Sequence, residues 1–237
     1  MAYEFSIALL SWLQIALLFV SVFFAFLTLR GIRKRKHKKK IMKIKKIVFA
    51  WLTAAVAFLA MALLFNNINS IYLRYRPPSA GDVFFILSYI SFAIAFAYFW
   101  FKTHRTHKLH AKEPIFMFGV ACGVFIWLYY LFQQVLICGS GGLPLSVRFL
   151  NYFNPIAVSI VFLLTLVIHP RLQAKVIRTP LWYISNGIFT YFIAFMLYVY
   201  SFWNITMTFI PVLYAALFFM SSGYFLLGFV AAKKKYA

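Results

Sequence analysis

Three histidines have the spacing in this chain that comes nearest to a metal site. His104, His107 and His110 lie three residues apart in KTHRTHKLHAKE, and two imidazoles on one helical turn can bind a divalent ion. However, lysine and arginine residues are interleaved with them and would repel a cation, and no carboxylate or thiolate lies among them. A solvated basic loop is therefore the favoured interpretation, with metal binding and a pH-sensitive surface as alternatives. No metal ion and no cofactor are predicted.

A serine in CGSGG is the only candidate nucleophile that the spacing offers. The nucleophile turn Gly-x-Ser-x-Gly needs a glycine two residues before the serine, but Cys138 stands two residues before Ser140. The last apolar segment, MTFIPVLYAALFFMSSGYFLLGFVAA, contains no lysine that could hold retinal as a Schiff base. We therefore predict no catalytic residue and a protein that is not an enzyme.

The remaining polar groups are uncharged amides and phenols near one end of the apolar segments, together with one carboxylate. An amide in hydrocarbon costs several kcal/mol unless it has a partner, so we expect these groups to face the protein interior or an outward-opening cavity. Hydrogen bonds between helices and an aromatic belt are the alternative role. The predicted ligand-binding residues are Asn66, Asn67, Asp82, Tyr130, Gln133, Gln134, Asn154 and Tyr198. Tyr200 belongs to the same set of outer polar groups, and Gln14 in the first segment could point into the same space.

The elements that position these groups are membrane-spanning helices. The chain is 65% hydrophobic and only 11% charged, whereas about a quarter of the residues in a soluble domain are charged. A span needs about 20 apolar residues, and helices satisfy their own backbone hydrogen bonds in lipid. The sequence therefore predicts one all-α domain over residues 1–237. Its seven predicted spans are 5–29, 47–65, 83–101, 115–137, 150–168, 182–203 and 207–232.

The basic residues predict the orientation of these spans. Of the 24 lysine and arginine residues, all but Arg74, Arg76 and Arg148 fall in residues 30–46, 102–113, 169–181 or the C-terminal tail. With seven spans, these four segments lie on one side of the membrane. The positive-inside rule then places the N-terminus outside and the C-terminus in the cytoplasm. We expect a multi-pass protein of a prokaryotic cell membrane.

The run Arg30–Lys46 is the densest basic segment, and we interpret it as a membrane-surface segment. Each basic residue near an anionic leaflet contributes on the order of 1 kcal/mol, so the lipid bilayer with its anionic headgroups is the predicted partner. Nucleic acid is not predicted, because no aromatic residues are interleaved for base stacking. An acidic protein partner and a homo-oligomer are left open. The predicted surface residues are Arg33, Lys34, Arg35, Lys36, Lys38, Lys39 and Lys40.

After the first span, the chain reads as three similar helical hairpins, over 47–101, 115–168 and 182–232. Each outer connection carries a proline just before or inside the returning helix, and a proline is tolerated in the first turn of a helix. Pro155 is interpreted in this way. An internal repeat would frame a common centre. The alternative is that hydrophobic hairpins resemble one another without duplication.

The segment RPPSAGDVFFILSYISFAIAFAYF, together with LNYFNPIAVSIVFLLTLVI and YFIAFMLYVYSFWN, resembles the N-terminal membrane-sensor regions of bacterial histidine kinases and diguanylate cyclases. The shared pattern is carried by Pro77, Pro78, Asp82 and Tyr89, with Phe84 and Phe85 between the last two. Such regions precede a cytosolic output domain, whereas this chain stops five residues after its last predicted span. The resemblance therefore implies a stand-alone sensor-like unit that signals through a partner.

Three functions follow as expectations. The first is a sensor-like or receptor-like module that binds a small amphipathic or apolar ligand in its outer half. The second is a facilitative carrier of a neutral solute, which a repeated architecture and an uncharged interior would permit. The third is a non-catalytic subunit of a larger membrane complex.

Overall fold

The computed structural model describes residues 2–34, 39–72, 78–103, 112–138, 144–169, 178–203 and 209–236. Within these residues every regular element is a helix. The seven helices are α1 (Ala2–Lys34), α2 (Lys39–Tyr72), α3 (Ala80–Thr103), α4 (Lys112–Cys138), α5 (Leu145–Ile168), α6 (Arg178–Trp203) and α7 (Ile210–Tyr236). All seven are long and apolar enough to cross a membrane. The protein is therefore an all-α, multi-pass integral membrane protein, which confirms this part of the predicted fold class.

Consecutive helices run in opposite directions, so the bundle has two ends. The N-termini of α1, α3, α5 and α7 share one end with Asp82, which we call the Asp82 end. The C-termini of the same four helices form the basic end, which holds Arg33, Lys102 and the lysines of α7. Polar residues at both ends continue the helices beyond their apolar segments.

Six of the helices form a closed ring. Neighbours in the ring are α1 and α2, α2 and α3, α3 and α5, α5 and α6, α6 and α7, and α7 and α1. A small residue allows α6 and α7 to pack closely. A Cβ atom on Gly228 of α7 would lie 2.6 Å from Cγ1 of Ile184 and 3.0 Å from the Pro180 carbonyl oxygen, both on α6. The interior of the ring is filled by one cluster of buried apolar residues.

Helix α4 lies on the outside of this ring. It packs mainly against α5. The indole of Trp127 also contacts the aromatic ring of Phe192 on α6, with ring centroids 5.9 Å apart. It is the least buried of the seven helices, and an added Cβ atom on Gly119 or Gly123 would meet nothing within 4 Å. Most of its large apolar side chains therefore face the surroundings of the protein.

The first and third predicted hairpins, α2 with α3 and α6 with α7, bury residues at the same spacing. On α2 the buried positions include Leu52, Ala55, Val56, Leu59 and Ala60, and on α6 they include Ile184, Gly187, Ile188, Tyr191 and Phe192. On α3 they include Ser88, Phe92, Ala95, Phe96 and Phe99, and on α7 Ser221, Phe225, Gly228, Phe229 and Ala232. We call residues at the same place in these series counterparts.

A hydrogen bond is repeated between these counterparts. Ser88 on α3 donates its hydroxyl to the carbonyl of Ala55 on α2 at 2.9 Å. Ser221 on α7, the counterpart of Ser88, donates to the carbonyl of Gly187 on α6, the counterpart of Ala55, at 2.7 Å. A buried hydroxyl that bonds across a helix pair fixes their relative height, so the two hairpins are aligned in the same way.

The position of Pro155 differs from the prediction. Pro155 was expected in the first turn of its helix, but α5 begins at Leu145 and Pro155 lies in its interior. Pro144 precedes the first turn instead, and its carbonyl accepts the backbone N–H groups of Val147 and Arg148 at 3.0 and 3.1 Å. The prediction was wrong because the helix already includes residues 145–149, which precede the predicted span 150–168, so Pro155 lies well beyond the first turn.

His169, at the last turn of α5, gives the stability of the protein a pH dependence. Its Nδ1 atom lies 3.3 Å from the hydroxyl of Ser185 on α6. Its side chain is largely exposed, but partial desolvation by burial lowers the pKa of His169 below the ordinary value of 6.5. The unfolded chain therefore takes up the proton first as the pH falls. We therefore expect the contribution of neutral His169 to the free energy of unfolding to be fully present above about pH 6.5. This contribution is lost as the pH falls toward the lower pKa of His169 in the folded state.

We expect the melting temperature to fall less between about pH 7.5 and pH 5.5 in His169→Gln than in the wild type. Differential scanning fluorimetry of the two detergent-solubilised proteins measures this difference. An identical pH dependence in both proteins would show that His169 does not contribute.

Candidate functional site

A small cavity lies inside the six-helix ring. It measures about 20 Å³, which is enough for one water molecule. Helices α2, α3, α5, α6 and α7 all contribute to its walls. The lining residues are Leu59, Ser88, Tyr89, Phe92, Val158, Val161, Ile188, Tyr191 and Phe225.

The centre of the ring is marked by two counterpart residues that touch each other. Phe92 on α3 and Phe225 on α7 stack with their ring centroids 5.7 Å apart. The side chains around these two rings come from five of the six helices of the ring. The cavity that these two rings line is therefore central and not at the lipid-facing surface.

Two phenols form the polar part of the cavity wall. The hydroxyl oxygens of Tyr89 on α3 and Tyr191 on α6 lie 3.3 Å apart, and both side chains are buried. Only one of these hydroxyls donates to the other, so the second hydroxyl hydrogen needs another acceptor. A water molecule or a ligand atom in the cavity can provide it.

Aromatic side chains continue from this pair toward the Asp82 end. Tyr191 contacts Phe218 of α7 with ring centroids 5.0 Å apart, and Tyr198 packs edge-on against Tyr214 at 5.3 Å. Tyr198 is a predicted ligand residue, and its ring also contacts Phe218. It is therefore connected to the cavity wall through Phe218 and Tyr191.

Asp82 itself closes the first turn of α3. Its Oδ2 atom accepts the backbone N–H of Ser79 at 2.7 Å and the Ser79 hydroxyl at 3.0 Å, and the backbone N–H of Asp82 donates to the Ser79 hydroxyl oxygen at 3.4 Å. This reciprocal arrangement is a capping box. The Ser79 hydroxyl also lies 3.2 Å from Oδ1 of Asn66. Asp82 and Asn66 therefore both bind Ser79, just before the first turn of α3. These contacts give the two residues a structural role, and their predicted role in ligand binding stays a prediction.

Asn154 is the predicted ligand residue with an unmet hydrogen bond. Its Oδ1 atom is buried and has no hydrogen-bond partner among the described residues. Asn154, Val158 and Val161 follow one another at the spacing of one helix face, and the two valines line the cavity. Asn154 is not itself one of the lining residues, but its position on this face of α5 is about one turn from the cavity, nearer to the Asp82 end.

The other predicted ligand residues lie away from the cavity or are only partly described. Tyr130 is 54% exposed on α4, so the structure does not bring it into the ring, while Gln133 is half-buried near the end of the same helix. The side chain of Gln134 lies outside the described residues. Asn67 is half-buried at the end of α2 and has an interaction partner. Their role in binding stays a prediction.

Two further outer polar residues differ in their surroundings. Gln14 is buried on α1, toward the Asp82 end of the ring, whereas Tyr200 is exposed.

The predicted membrane-surface residues flank the connection between α1 and α2. Arg33 is exposed at the end of α1. Arg35, Lys36 and Lys38 lie outside the described residues, as do the three histidines considered for metal binding and Ser140. The residues described only as helical backbone are Lys34, Lys39 and Lys40.

The residues that sequence analysis did not select are those that line the cavity. Tyr89 was noticed only for its place in the resemblance, and Tyr191 was not singled out. The available signal was the depth of the two phenols within their spans, since a hydroxyl there needs a buried partner. Spacing on a single helix could not reveal that the two partners come from α3 and α6.

The fold and this site define a class, a seven-helix membrane protein with a central aromatic cavity. Comparison with family models, curated proteins and solved structures gives no match for the chain.

Removing one phenol hydroxyl tests the Tyr89–Tyr191 pair. We expect Tyr191→Phe to lower the free energy of unfolding by about 1 kcal/mol, because the buried hydroxyl of Tyr89 loses its partner while the packing is kept. The double variant Tyr89→Phe/Tyr191→Phe removes both polar groups and should recover part of that loss. Unfolding in mixed micelles of increasing sodium dodecyl sulfate content measures both. If the double variant loses as much free energy of unfolding as the two single variants together, or more, the pairing is contradicted.

Proposed function

We propose that the protein is a receptor-like membrane module that binds a small, uncharged amphipathic ligand on the axis of the six-helix ring. The observation that carries this proposal is the unpartnered Oδ1 atom of Asn154 on the cavity side of α5. A buried acceptor without a partner costs about 1–3 kcal/mol. A ligand that donates a hydrogen bond to it would regain this free energy on binding.

The walls of the cavity indicate the chemistry of the ligand. Its apolar part would lie among Phe92, Phe225, Val158 and Val161, which favour an aromatic or branched aliphatic group. Its polar part would carry an N–H or O–H donor for Asn154. A net charge is disfavoured, because none of the lining side chains is ionised at neutral pH and desolvation of a charge is costly.

Binding would also change the conformation of the ring. A cavity of about 20 Å³ holds one water molecule, so a larger ligand must separate helices to enter. The ligand would therefore stabilise a more open state of the ring. Helices α2, α3, α6 and α7 extend from the cavity to the basic end, where a protein partner could respond to the movement. With the N-terminus outside the cell, as the charge distribution indicates, the Asp82 end would face the exterior.

Indole and benzothiophene test this proposal as a matched pair. The two molecules have nearly the same shape, but only indole has an N–H donor. We expect equilibrium dialysis against the protein in phosphatidylcholine nanodiscs to show saturable indole binding, and at least about tenfold weaker benzothiophene binding. Empty nanodiscs give the partition into lipid. Equal retention of both molecules above that background would contradict a site with a donor requirement.

The corresponding hairpins favour a second function, a facilitative carrier of a neutral solute. Repeats that run in the same direction are related by an axis along the membrane normal, and binding sites of transporters lie between such repeats. The shared burial spacing, the two equivalent serine bonds and the Phe92–Phe225 contact support a repeat in which α1–α3 corresponds to α5–α7. In this arrangement α4 is a connecting helix rather than part of a third hairpin.

Solute flux distinguishes the two functions. Liposomes with the reconstituted protein are mixed rapidly with hyperosmotic glycerol or erythritol, and light scattering follows how quickly their volume recovers. A carrier predicts faster recovery than in protein-free liposomes and a return toward the basal rate in Phe92→Trp, which fills the axis. A receptor predicts indole binding in nanodiscs with basal glycerol and erythritol flux.

A further inference from the structure

Basic side chains collect where α1, α2 and α7 meet at the basic end. Helix α1 packs against both α2 and α7, so the last turns of α1 and α7 lie beside the first turns of α2. Neither residues 28–50 nor residues 225–237 contain an aspartate or glutamate. We call the basic residues of this region whose side chains are described the basic corner, and they are Arg30, Arg33, Lys45, Lys46, Lys233, Lys234 and Lys235.

The fold does not require lysines at positions 233 and 234. In the series that relates α3 to α7, their counterparts are Trp100 and Phe101, whereas the counterpart of Lys235 is Lys102. The same place in a similarly packed hairpin is thus occupied by aromatic side chains. The concentration of positive charge on α7 therefore needs an explanation other than helix packing.

The basic corner is partly embedded in the protein. The Nζ atom of Lys233 lies 5.2 Å from the ring centroid of Phe24 on α1, a cation–π contact. Lys45 is only 7% exposed. Long basic side chains that pack their methylene groups against apolar surface keep the charged group at a defined place. Positive charge is therefore fixed between the helices as well as distributed over the outer surface.

On the exposed faces of α1 and α7, apolar residues precede these basic residues along the helix. On α1 the exposed residues Phe23 and Phe26 are followed on the same face by Arg30 and Arg33. On α7 the exposed residues Met220, Leu227 and Lys234 are each seven residues apart, which again places them on one face. Each face thus passes from apolar to cationic along the helix, in the order in which a phospholipid presents its acyl chain and its phosphate.

We propose that the basic corner binds the phosphate headgroup of an anionic phospholipid, with the acyl chains against the apolar faces of α1 and α7. A free phosphate or an acidic peptide would use the same charges but would have no contact with Phe23, Phe26, Met220 or Leu227. Basic pockets between membrane-spanning helices bind anionic headgroups through such combined contacts. This site lies at the end opposite to Asp82 and does not depend on the proposed ligand site.

Competition between lipids tests the site. The detergent-solubilised protein is incubated with equal amounts of phosphatidylglycerol and phosphatidylcholine, and native mass spectrometry counts the lipids that it retains. We expect retention of phosphatidylglycerol in preference to phosphatidylcholine. In Arg33→Gln/Lys234→Gln this preference should fall by about tenfold, because each basic residue near the headgroup raises the affinity by a factor of roughly three to five. Both side chains are exposed, so the variant is expected to fold, and its melting temperature verifies this.

The matched control removes the same charge elsewhere. Lys102→Gln/Arg148→Gln also loses two positive charges, one at the basic end outside the corner and one at the Asp82 end, and should keep the preference of the wild type. An equal loss in both double variants, or an unchanged preference in Arg33→Gln/Lys234→Gln, would overturn the proposal. So would displacement of phosphatidylglycerol by millimolar inorganic phosphate or by a polyglutamate peptide, which would show that a soluble anion is the better occupant.

Discussion

The variant Gly228→Leu is expected to lose about 3 kcal/mol of the free energy of unfolding. Even the first side-chain atom at position 228 would lie 2.6 Å from Cγ1 of Ile184 and 3.0 Å from the carbonyl oxygen of Pro180. The isoleucine can rotate, but the carbonyl moves only with the backbone of α6. Leucine must therefore push α6 and α7 apart, and this also strains the 2.7 Å bond from Ser221 to Gly187.

The control for this variant is on the same helix. An added Cβ atom on Gly223 would meet nothing within 4 Å, and leucine has a higher helix propensity than glycine by somewhat under 1 kcal/mol. Gly223→Leu should therefore be as stable as the wild type or slightly more stable. Reversible unfolding in dodecyl maltoside with increasing sodium dodecyl sulfate, followed by tryptophan fluorescence, measures both. Similar midpoints for the two variants would mean that α6 and α7 do not pack as described.

The variant Asn154→Leu is expected to separate ligand binding from stability. Leucine has the same number of side-chain heavy atoms and the same branch at Cγ as asparagine but no acceptor, so a ligand loses its hydrogen bond and the empty protein loses an unpartnered polar atom. We expect indole to bind about tenfold or more weakly, while the free energy of unfolding stays equal or rises by about 1 kcal/mol. A loss of binding together with a gain in stability is the signature of a group kept for function.

Asn151→Leu is the matched control for Asn154→Leu. Asn151 lies on the same helix, but its side chain is exposed. The same substitution there should leave indole binding unchanged. Equilibrium dialysis and the unfolding assay are applied to both variants. If Asn154→Leu binds indole as well as the wild type, the amide of Asn154 is not part of the site.

The helices could be predicted from the sequence because their signal is local. Each span is a continuous apolar run, and such a run in lipid has only one way to satisfy its backbone. Helix ends were less predictable. The predicted fifth span began at residue 150, whereas α5 begins at Leu145, directly after Pro144.

The candidate site was only partly predictable because it depends on contacts between helices. Asn154 and Tyr198 were selected for polarity and depth, and both lie close to the central aromatic residues. Polarity alone also selected Tyr130, whose helix stands outside the ring. The partnership of Tyr89 with Tyr191 joins α3 to α6, and nothing in either segment specifies which helices become neighbours.

The place of α4 outside the ring has a consequence for how such a protein can be assembled from two like parts. A unit of three crossings begins on one side of a bilayer and ends on the other. A second unit joined directly to it would be inserted upside down. One additional crossing restores the direction, so that α5 enters from the same end as α1. In the proposed arrangement of two like parts, α4 would restore this direction, and its exposed apolar residues should then tolerate exchange for other apolar residues of good helix propensity.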